Sequence, residues 1–543
     1  MSKNPGTIAS VTDALATKGF RYVSTSATGR IHLVGPLHAE GLAHECDVSL
    51  DSDFIEFPQI RLLTIPNSLA PVAPHLGSDG SLCYLAKGTV VIDIFDPVGQ
   101  MLACLVRAEM VLGQLLRREL VQDLEEEFFA YWSGLHCFVD LQDLKLGRQR
   151  ALLANLGGYP VPVVTDDEVR TLKKLRAIGW TTDGLGIPVF RIGTNARPRP
   201  NQNAWPPKTL RDVLQWQGIL DSACRKKIEE RVKEAASQKA GGVVLLIQSP
   251  LLTYSVFVNF RNEDVIPGQV HLTKKIPRLF DSPVIPMVVT RIDDKYLAER
   301  NSPGMTTLAG KRVVLVGCGT IGGFLADMLT KAGAGTGGGQ LTLVDKELLS
   351  PANIGRHRLG FPSLLSNKAT ALADELSRGA PGADINALPV DVRSAHLGEA
   401  DLLIDATGEE SLSDWLTAKY CAAVPMLSVW IEGPGTAVRG LLLLDRDGAC
   451  FHCLSLHVKA DRYKSVDGEL PVIFAGQGCE GLYVPFPATV SVQAACLGTE
   501  MVLDWLNGIG SPRLRTKITD RNRAQATADC NPEQFTGCPA CSE

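Results

Sequence analysis

The sequence lacks the features by which secreted, membrane-spanning and nucleic-acid-binding proteins are usually recognised. Its first residues do not form the charged and then apolar run of a signal peptide. No uninterrupted apolar stretch approaches the roughly 20 residues that cross a bilayer. The formal net charge is only −5 and the pI is 6.1, so no excess of basic residues favours nucleic acid or an anionic membrane. We therefore expect a cytoplasmic protein that binds neither nucleic acid nor membrane.

Internal repeats and a low-complexity tail are also missing, which argues against a repeat array. The 543 residues are too many for one hydrophobic core, and 45% hydrophobic with 21% charged residues predicts a folded protein of two to four domains. Fourteen cysteines are numerous for a reducing compartment, where disulfides rarely persist. We expect them to serve as metal ligands, nucleophiles or ordinary core residues.

Hydrophobic patterning divides the chain into three predicted domains, at residues 1–150, 151–300 and 301–543. The first combines strand-like stretches with a long core-facing helix predicted over 98–120. The second is a mixed segment without a recognisable spacing of chemical groups, and we interpret it as a structural linker domain. The third alternates strands and helices, which predicts a doubly wound α/β sheet. Its strands are predicted at 312–316, 340–344, 402–404, 426–429 and 440–444.

A glycine-rich loop at 317–322 lies between the first of these strands and a helix predicted over 323–332. Such a loop permits a tight turn and close approach of the backbone to phosphate, and the helix amino terminus supplies N–H donors. The next strand ends at Asp345, where a carboxylate can bind a ribose hydroxyl. Alone, the pattern fits a dehydrogenase equally well, or a turn without a ligand. The glycines in question are Gly317, Gly319 and Gly322.

The residues that follow favour an ATP-dependent enzyme. The segment 345–357 closely resembles the ubiquitin-activating superfamily, which includes bacterial sulfur-carrier activators. The resemblance implies that a terminal glycine carboxylate attacks the α-phosphate of ATP and expels pyrophosphate. Arg356 and Lys368 would offset charge on the phosphates, and Asp405 would hold Mg²⁺. Any one of these could be a solvated surface charge, but four in register favour adenylation. The four matching positions are Asn353, Arg356, Lys368 and Asp405.

The same resemblance implies a homodimer formed through the third domain. Members of the superfamily usually dimerise and use an arginine that lies upstream of the glycine loop. Arg300 is the candidate in this sequence.

Two CxxC pairs near the carboxyl end predict a Zn²⁺ site. Four thiolates suit tetrahedral Zn²⁺, and the superfamily carries a structural zinc at this place, which would pin the carboxyl terminus to the domain. Redox use of either pair is the alternative. The pairs are Cys450 with Cys453 and Cys538 with Cys541.

A cysteine between the zinc pairs is expected to accept the activated carboxylate as a thioester, because activating enzymes of this class often carry it there. Cys479, in the glycine-rich stretch 476–481, is the first candidate, and Cys530 is the second. A third alternative is that this domain has no thioester cysteine. Cys318 is expected to be merely a small residue of the phosphate loop.

The segment 74–85 resembles the active-site strand of ubiquitin-conjugating enzymes, a likeness that covers about residues 20–140. It implies an α+β domain in which Cys83 accepts a thioester, with a buried core thiol as the alternative. His75 stands where that family has a catalytic asparagine. An imidazole there could donate a hydrogen bond to the oxyanion or act as a base toward an incoming lysine. A purely structural histidine is the alternative.

Together the resemblances predict one α/β and α+β multidomain chain that carries both steps of a conjugation reaction, with ATP, Mg²⁺ and Zn²⁺. The domain order resembles bacterial fusion proteins of CBASS antiphage operons. This implies a protein substrate with a C-terminal glycine, a cyclic-oligonucleotide synthase (CD-NTase), which is joined to target amines. A ubiquitin-like modifier, a sulfur-carrier activator and a non-catalytic binding module are the alternatives.

Overall fold

The computed structural model describes residues 5–86, 88–143, 145–182, 186–260, 278–444, 448–466, 484–524 and 527–541. The strands within these ranges form three sheets, which follow one another along the chain.

The first sheet is a four-stranded antiparallel meander packed against a long helix. Along β2 every other residue is buried, as a sheet with one covered face requires. The long helix begins where the Asp96 carboxylate accepts a hydrogen bond from Gly99 N, with proline at its first position. The elements are α1 (Pro5–Ala16), β1 (Arg21–Thr25), β2 (Ile31–Ala39), β3 (Leu42–Leu50), β4 (Gln59–Leu62) and α2 (Pro97–Leu116).

Helix α2 is the central core element of this first domain. It ends at Leu116 and not at the predicted residue 120, because Arg118 adopts a φ of 58° and turns the chain. By length and composition alone α2 could cross a membrane. However, Met101, Ala108 and Leu112 lie in the hydrophobic core, which identifies it as a core helix.

The second sheet closes on itself as a barrel. Strand β6 pairs through its second part with β7 and through residues 147–149 with β9, which completes a ring of seven strands. The elements are α3 (Phe128–Tyr131), β5 (Leu135–Asp140), β6 (Gly147–Leu156), β7 (Tyr159–Thr165), α4 (Glu168–Ala177), β8 (Thr181–Thr182), β9 (Val189–Gly193), α5 (Leu210–Leu220), α6 (Ser222–Ser237), β10 (Gly242–Gln248), β11 (Thr253–Asn259) and β12 (Val284–Arg291).

The barrel includes all of β5 and the first residues of β6, so it begins before the predicted domain boundary at residue 150. Strand β5 pairs in parallel with both β7 and β12 and contributes the buried Cys137 and Val139 to the barrel interior. No change of composition marks its start, so composition does not indicate a boundary before it.

The third sheet confirms the predicted doubly wound α/β architecture. Its order is β15-β14-β13-β16-β17-β18-β19, in which the first five strands run parallel, and buried clusters cover both faces. The elements are α7 (Asp294–Glu299), β13 (Arg312–Val316), α8 (Thr320–Lys331), β14 (Gln340–Val344), α9 (Lys368–Gly379), β15 (Ile385–Leu388), β16 (Leu402–Asp405), α10 (Glu410–Tyr420), β17 (Met426–Glu432), β18 (Ala437–Leu443), α11 (Phe451–Lys459), α12 (Ala488–Leu506) and β19 (Leu514–Ile518).

Candidate active sites

Three predicted parts of the nucleotide site meet at the carboxyl edge of the third sheet. Val316, the last residue of β13, lies opposite Val344 of β14 and Asp405 of β16. The glycine loop, Asp345 and Asp405 therefore follow three adjacent parallel strands. This is the edge at which doubly wound sheets bind their ligands.

The glycine loop leaves room for a ligand at one of its three glycines. Gly317 has a φ of 89°, and a Cβ there would lie 2.9 Å from the backbone of Thr407. A Cβ on Gly322 would overlap the carbonyl oxygen of Gly317. The fold itself thus requires these two glycines. At Gly319, in contrast, no atom of the described residues, apart from its two chain neighbours, stands within 4 Å of where a Cβ would be. The open space fits a nucleotide phosphate.

The Asp345 carboxylate is oriented by the glycine loop. Its Oδ2 accepts a hydrogen bond from Cys318 N at 2.8 Å, and its Oδ1 accepts one from Glu347 N at 2.8 Å. Burial raises the pKa of Asp345, and the nearby Lys368 opposes that rise. The Lys368 side chain is only 7% exposed, and its Nζ lies 2.5 Å from Glu347 Oε2. A buried cation thus stands beside the predicted ribose carboxylate.

The Asn-x-x-Arg pair makes protein contacts that the sequence did not predict. Asn353 Oδ1 accepts hydrogen bonds from the N–H and hydroxyl of Ser350, which closes a capping box. Arg356 donates from Nη1 to Val484 O at 2.9 Å, and its guanidinium lies 4.1 Å from the centroid of the Phe486 ring. In this arrangement Asn353 shapes the loop, and Arg356 joins it to the chain that precedes α12.

Asp405 is buried and held by hydroxyl groups. Its Oδ1 accepts from the N–H of Thr407 at 3.0 Å and the hydroxyl at 2.7 Å, and its Oδ2 accepts from the Ser413 hydroxyl. Burial raises its pKa. These contacts use three of about four acceptor positions, so room remains for a cation. Asp405 also borders a cavity of about 340 Å³ that includes Trp430 and Phe451.

The four predicted zinc ligands come together. Their sulfur atoms all lie within 4.8 Å of one another. Individual sulfur pairs are 3.4 to 3.8 Å apart, and a tetrahedral Zn²⁺ with Zn–S bonds of about 2.3 Å needs about 3.8 Å. Cys450 and Cys453 sulfurs also accept backbone hydrogen bonds, from Cys453 N and Phe535 N. The residues fit Zn²⁺, and the cluster of Cys450, Cys453, Cys538 and Cys541 ties residues 527–541 to α11.

Of the two candidate activating cysteines, the structure describes one. Cys479 lies in 467–483, outside the described residues. Cys530 is partly buried, and its backbone pairs with Leu514 in both directions. Burial raises its pKa, and the neighbouring Arg439 only partly offsets that effect. These features do not favour a reactive thiolate at Cys530.

The predicted arginine of the dimer interface lies at the end of α7. Arg300 is exposed, and its backbone N–H donates to Tyr296 O. Its role remains a prediction.

Cys83 is the one exposed cysteine among the thirteen that the structure describes. Its amide donates to His75 O at 2.7 Å, and its Sγ lies 3.8 Å from Leu85 O. The loop that carries His75 thus fixes the backbone of Cys83. A nucleophile that must meet protein partners has to be accessible in this way.

His75 is held by two carboxylates, which the sequence analysis did not find. Its Nε2 lies 2.8 Å from Asp123 Oδ2 and its Nδ1 lies 2.6 Å from Glu127 Oε1, while its backbone N–H donates to Glu127 Oε2. The hydrogen bond to Glu127 is the main cause that raises the pKa of His75 to about 9. An imidazolium with both nitrogens donating has no lone pair, so this arrangement does not suit a general base. It suits a group that shapes the Cys83 loop.

The segment that supplies these carboxylates, residues 121–132, has two sides. On one side Asp123 and Glu127 bind His75. On the other, Phe128 and Trp132 are fully buried in the core outside the barrel, where their rings stack on Trp216. The aromatic core that packs outside the barrel therefore anchors the segment whose carboxylates bind His75.

We expect protection of the Cys83 amide against hydrogen exchange to fall as the pH rises through about 9. The pKa of His75 is raised from the ordinary value of 6.5 to about 9 in the folded protein. The stabilisation from its charged hydrogen bonds is therefore complete below pH 6.5 and is lost as the pH rises through about 9. The loss of one charge-assisted hydrogen bond corresponds to about tenfold or more in protection. Exchange measured by mass spectrometry and corrected for the intrinsic rate would show it.

The variant His75→Gln should start with low protection and lose the pH dependence. His32→Gln is the control. It removes a histidine of the first sheet that pairs with Asp47, away from the Cys83 loop, and it should behave like the wild type. If protection of the Cys83 amide in the wild type did not change from pH 7 to 10, the proposed role of protonated His75 in fixing this loop would be contradicted.

Comparison with known proteins finds two family domains in the chain. Residues 294–540 match the ThiF family, and residues 21–136 match the Prokaryotic E2 family B. The chain is 53% identical to the "ATP-dependent ubiquitin transferase-like protein Cap2" of Pseudomonas aeruginosa, over 98% of this chain and 99% of that protein. It is 25% identical to the Escherichia coli protein of the same name, over 90% of each. A crystal structure of Escherichia coli MccB with AMPCPP and MccA is 17% identical, covers 46% of this chain and 68% of that chain, and has a TM-score of 0.33.

Proposed function

The chain belongs to the Cap2 family of ATP-dependent ubiquitin transferase-like proteins, fusions of an E2-like and a ThiF-like domain, and we propose that it joins the C-terminal glycine of a protein to target amines. The observation that carries this proposal is the presence of both sites in one chain. Cys83 is exposed, with its backbone held by a hydrogen bond to His75, and the glycine loop has open space at Gly319.

The first step is adenylation at the glycine loop. A carboxylate oxygen of the terminal glycine attacks the α-phosphorus of ATP, and the bond to pyrophosphate breaks. Asp345 would bind the ribose, and Lys368 would offset charge on the phosphates. Asp405 would hold Mg²⁺, which would neutralise the leaving pyrophosphate. The cavity beside Asp405 offers a path for the carboxyl-terminal tail of the protein substrate.

Two thioester exchanges and an aminolysis follow. The Cys479 thiolate attacks the acyl adenylate and AMP leaves. The Cys83 thiolate then attacks that thioester, and the Cys479 thiolate leaves. Finally a target amine attacks the Cys83 thioester, the Cys83 thiolate leaves and the amine proton passes to solvent. Because both cysteines belong to one chain, the exchange is intramolecular, and the effective concentration of the Cys83 thiol near the Cys479 thioester is high.

Three further parts of the proposal concern the setting of the reaction. We place the enzyme in the cytoplasm as a homodimer formed through the third domain, with Arg300 as the partner-facing arginine. Zn²⁺ on the four cysteines would be structural. The substrate we propose is a cyclic-oligonucleotide synthase (CD-NTase) of an antiviral system, and a ubiquitin-like modifier is the alternative.

Intact-protein mass spectrometry tests the proposed function. Incubation with ATP, Mg²⁺ and a cyclic-oligonucleotide synthase should give adducts that reducing agent removes and that map to Cys83 and Cys479. The same synthase without its terminal glycine is the matched control and should give none. Adducts on Cys530 in place of Cys479 would contradict the assignment, and a ubiquitin-like protein as the only effective substrate would establish the alternative.

A further inference from the structure

His357 links the segment that follows Asp345 to the glycine loop. Its ring is 7% exposed. Nε2 lies 2.8 Å from Cys318 O, and Nδ1 lies 3.0 Å from Leu359 N. Because a carbonyl only accepts and an amide N–H only donates, the proton of the neutral ring lies on Nε2. Burial lowers the pKa of His357, and the adjacent Lys368 adds to that effect.

The Cys318 backbone is fixed on both sides. Its N–H donates to Asp345 Oδ2 at 2.8 Å, and its carbonyl accepts from His357. The peptide that joins Cys318 to Gly319 is trans. In a planar trans peptide the carbonyl and the following N–H point in opposite directions. The Gly319 N–H is therefore directed away from His357.

The Gly319 N–H is available to a ligand. In the described part of the chain it has no hydrogen-bond acceptor. Among the described residues other than its chain neighbours, none has an atom within 4 Å of where a Gly319 Cβ would be. An N–H at the start of a helix, with open space beside it, is suited to bind phosphate oxygen.

We propose that His357 is a positioning residue for ATP, which holds the Cys318 carbonyl and thereby presents the Gly319 N–H to a phosphate group. The inference rests on the proposed adenylation at this loop. His357 acts through the peptide and does not itself contact the nucleotide. Its ring also packs at the first turn of α8, where a Cβ on Gly323 would lie 3.5 Å from its Cε1.

Two substitutions separate the two hydrogen bonds of the ring. In His357→Gln the side-chain amide nitrogen can take the place of Nε2 and still donate to Cys318 O. In His357→Asn the side-chain oxygen can take the place of Nδ1 and accept from Leu359 N, but the donor no longer reaches Cys318 O. A merely structural role in packing would make both variants lose ATP affinity together.

Calorimetric titration of the full chain with ATP and Mg²⁺ measures the difference. We expect His357→Asn to raise the dissociation constant for ATP about tenfold, the effect of one hydrogen bond, and His357→Gln to stay within about threefold of the wild type. Equal affinity in all three proteins, or an equal loss in both variants, would overturn the inference. Failure of the wild type to bind ATP would instead overturn the proposed adenylation.

Gly319→Ala gives a second test that does not depend on the stability of the His357 variants. The open space and a φ of −77° should let the alanine variant fold normally. Its methyl group would occupy the phosphate position, so ATP affinity should fall by about tenfold or more. Wild-type affinity in this variant would show that Gly319 does not face the phosphates, which would overturn the inference.

Discussion

Replacement of Cys83 by alanine is expected to abolish transfer to target amines while ATP–pyrophosphate exchange continues at the wild-type rate. The thiol is exposed, so its loss removes the nucleophile without opening a cavity. The adenylation residues lie on a different sheet, so the first step should not change. Product bands on a gel and isotope exchange from labelled pyrophosphate into ATP measure the two steps separately.

Cys104→Ala is the matched control for Cys83→Ala. Cys104 lies in the same domain but is buried in the face of α2 that packs in the core. Its substitution should lower stability slightly and leave conjugation intact. If Cys83→Ala retained full product formation, the first domain would be a docking module and the enzyme a sulfur-carrier activator.

Replacement of Lys368 by methionine should reduce ATP–pyrophosphate exchange by about 10²–10³-fold, the usual effect of removing one group that stabilises transition-state charge. Methionine has a similar length, and the Glu347 side chain that loses its partner is 55% exposed and can be solvated by water. The variant should therefore fold. Conjugation should fall in parallel, because the later steps depend on the adenylate.

Lys346→Met provides the control for Lys368→Met. Lys346 lies in the segment after β14, but it is exposed and pairs with Asp391. We expect its exchange rate to stay within about threefold of the wild type, as for an ordinary surface charge. If both variants lost activity equally, the effect would reflect general charge and not the position of Lys368.

The grouping of the glycine loop with Asp345, and of the cysteines in each CxxC pair, could be predicted from sequence because these residues follow local rules. The loop at 317–322 and Asp345 are set by the order of strand, turn and helix. Each CxxC pair presents two sulfurs from one short turn, as at Cys450. These patterns depend on few long-range contacts, so they are visible in the chain itself.

The surroundings of Cys83 and the barrel could not be predicted in the same way. Asp123 and Glu127 lie 48 and 52 residues from His75, in a segment of short helical turns with no periodic signal. The barrel closes because β6 pairs with both β7 and β9. The alternation of apolar and polar residues along a strand does not specify which strands it pairs with. Side-chain charge alone also could not show that Arg356 lies against Phe486.

The two-sided segment 121–132 determines where this chain can be cut and rejoined. A chimaera whose junction precedes Glu127 would part that residue from His75, and one whose junction falls just after Phe128 would take Phe128 from its aromatic neighbours. A working graft of the conjugating half onto another adenylating enzyme must therefore bring the barrel with it. The first domain and the barrel, which ends at Arg291, should be exchanged as one unit.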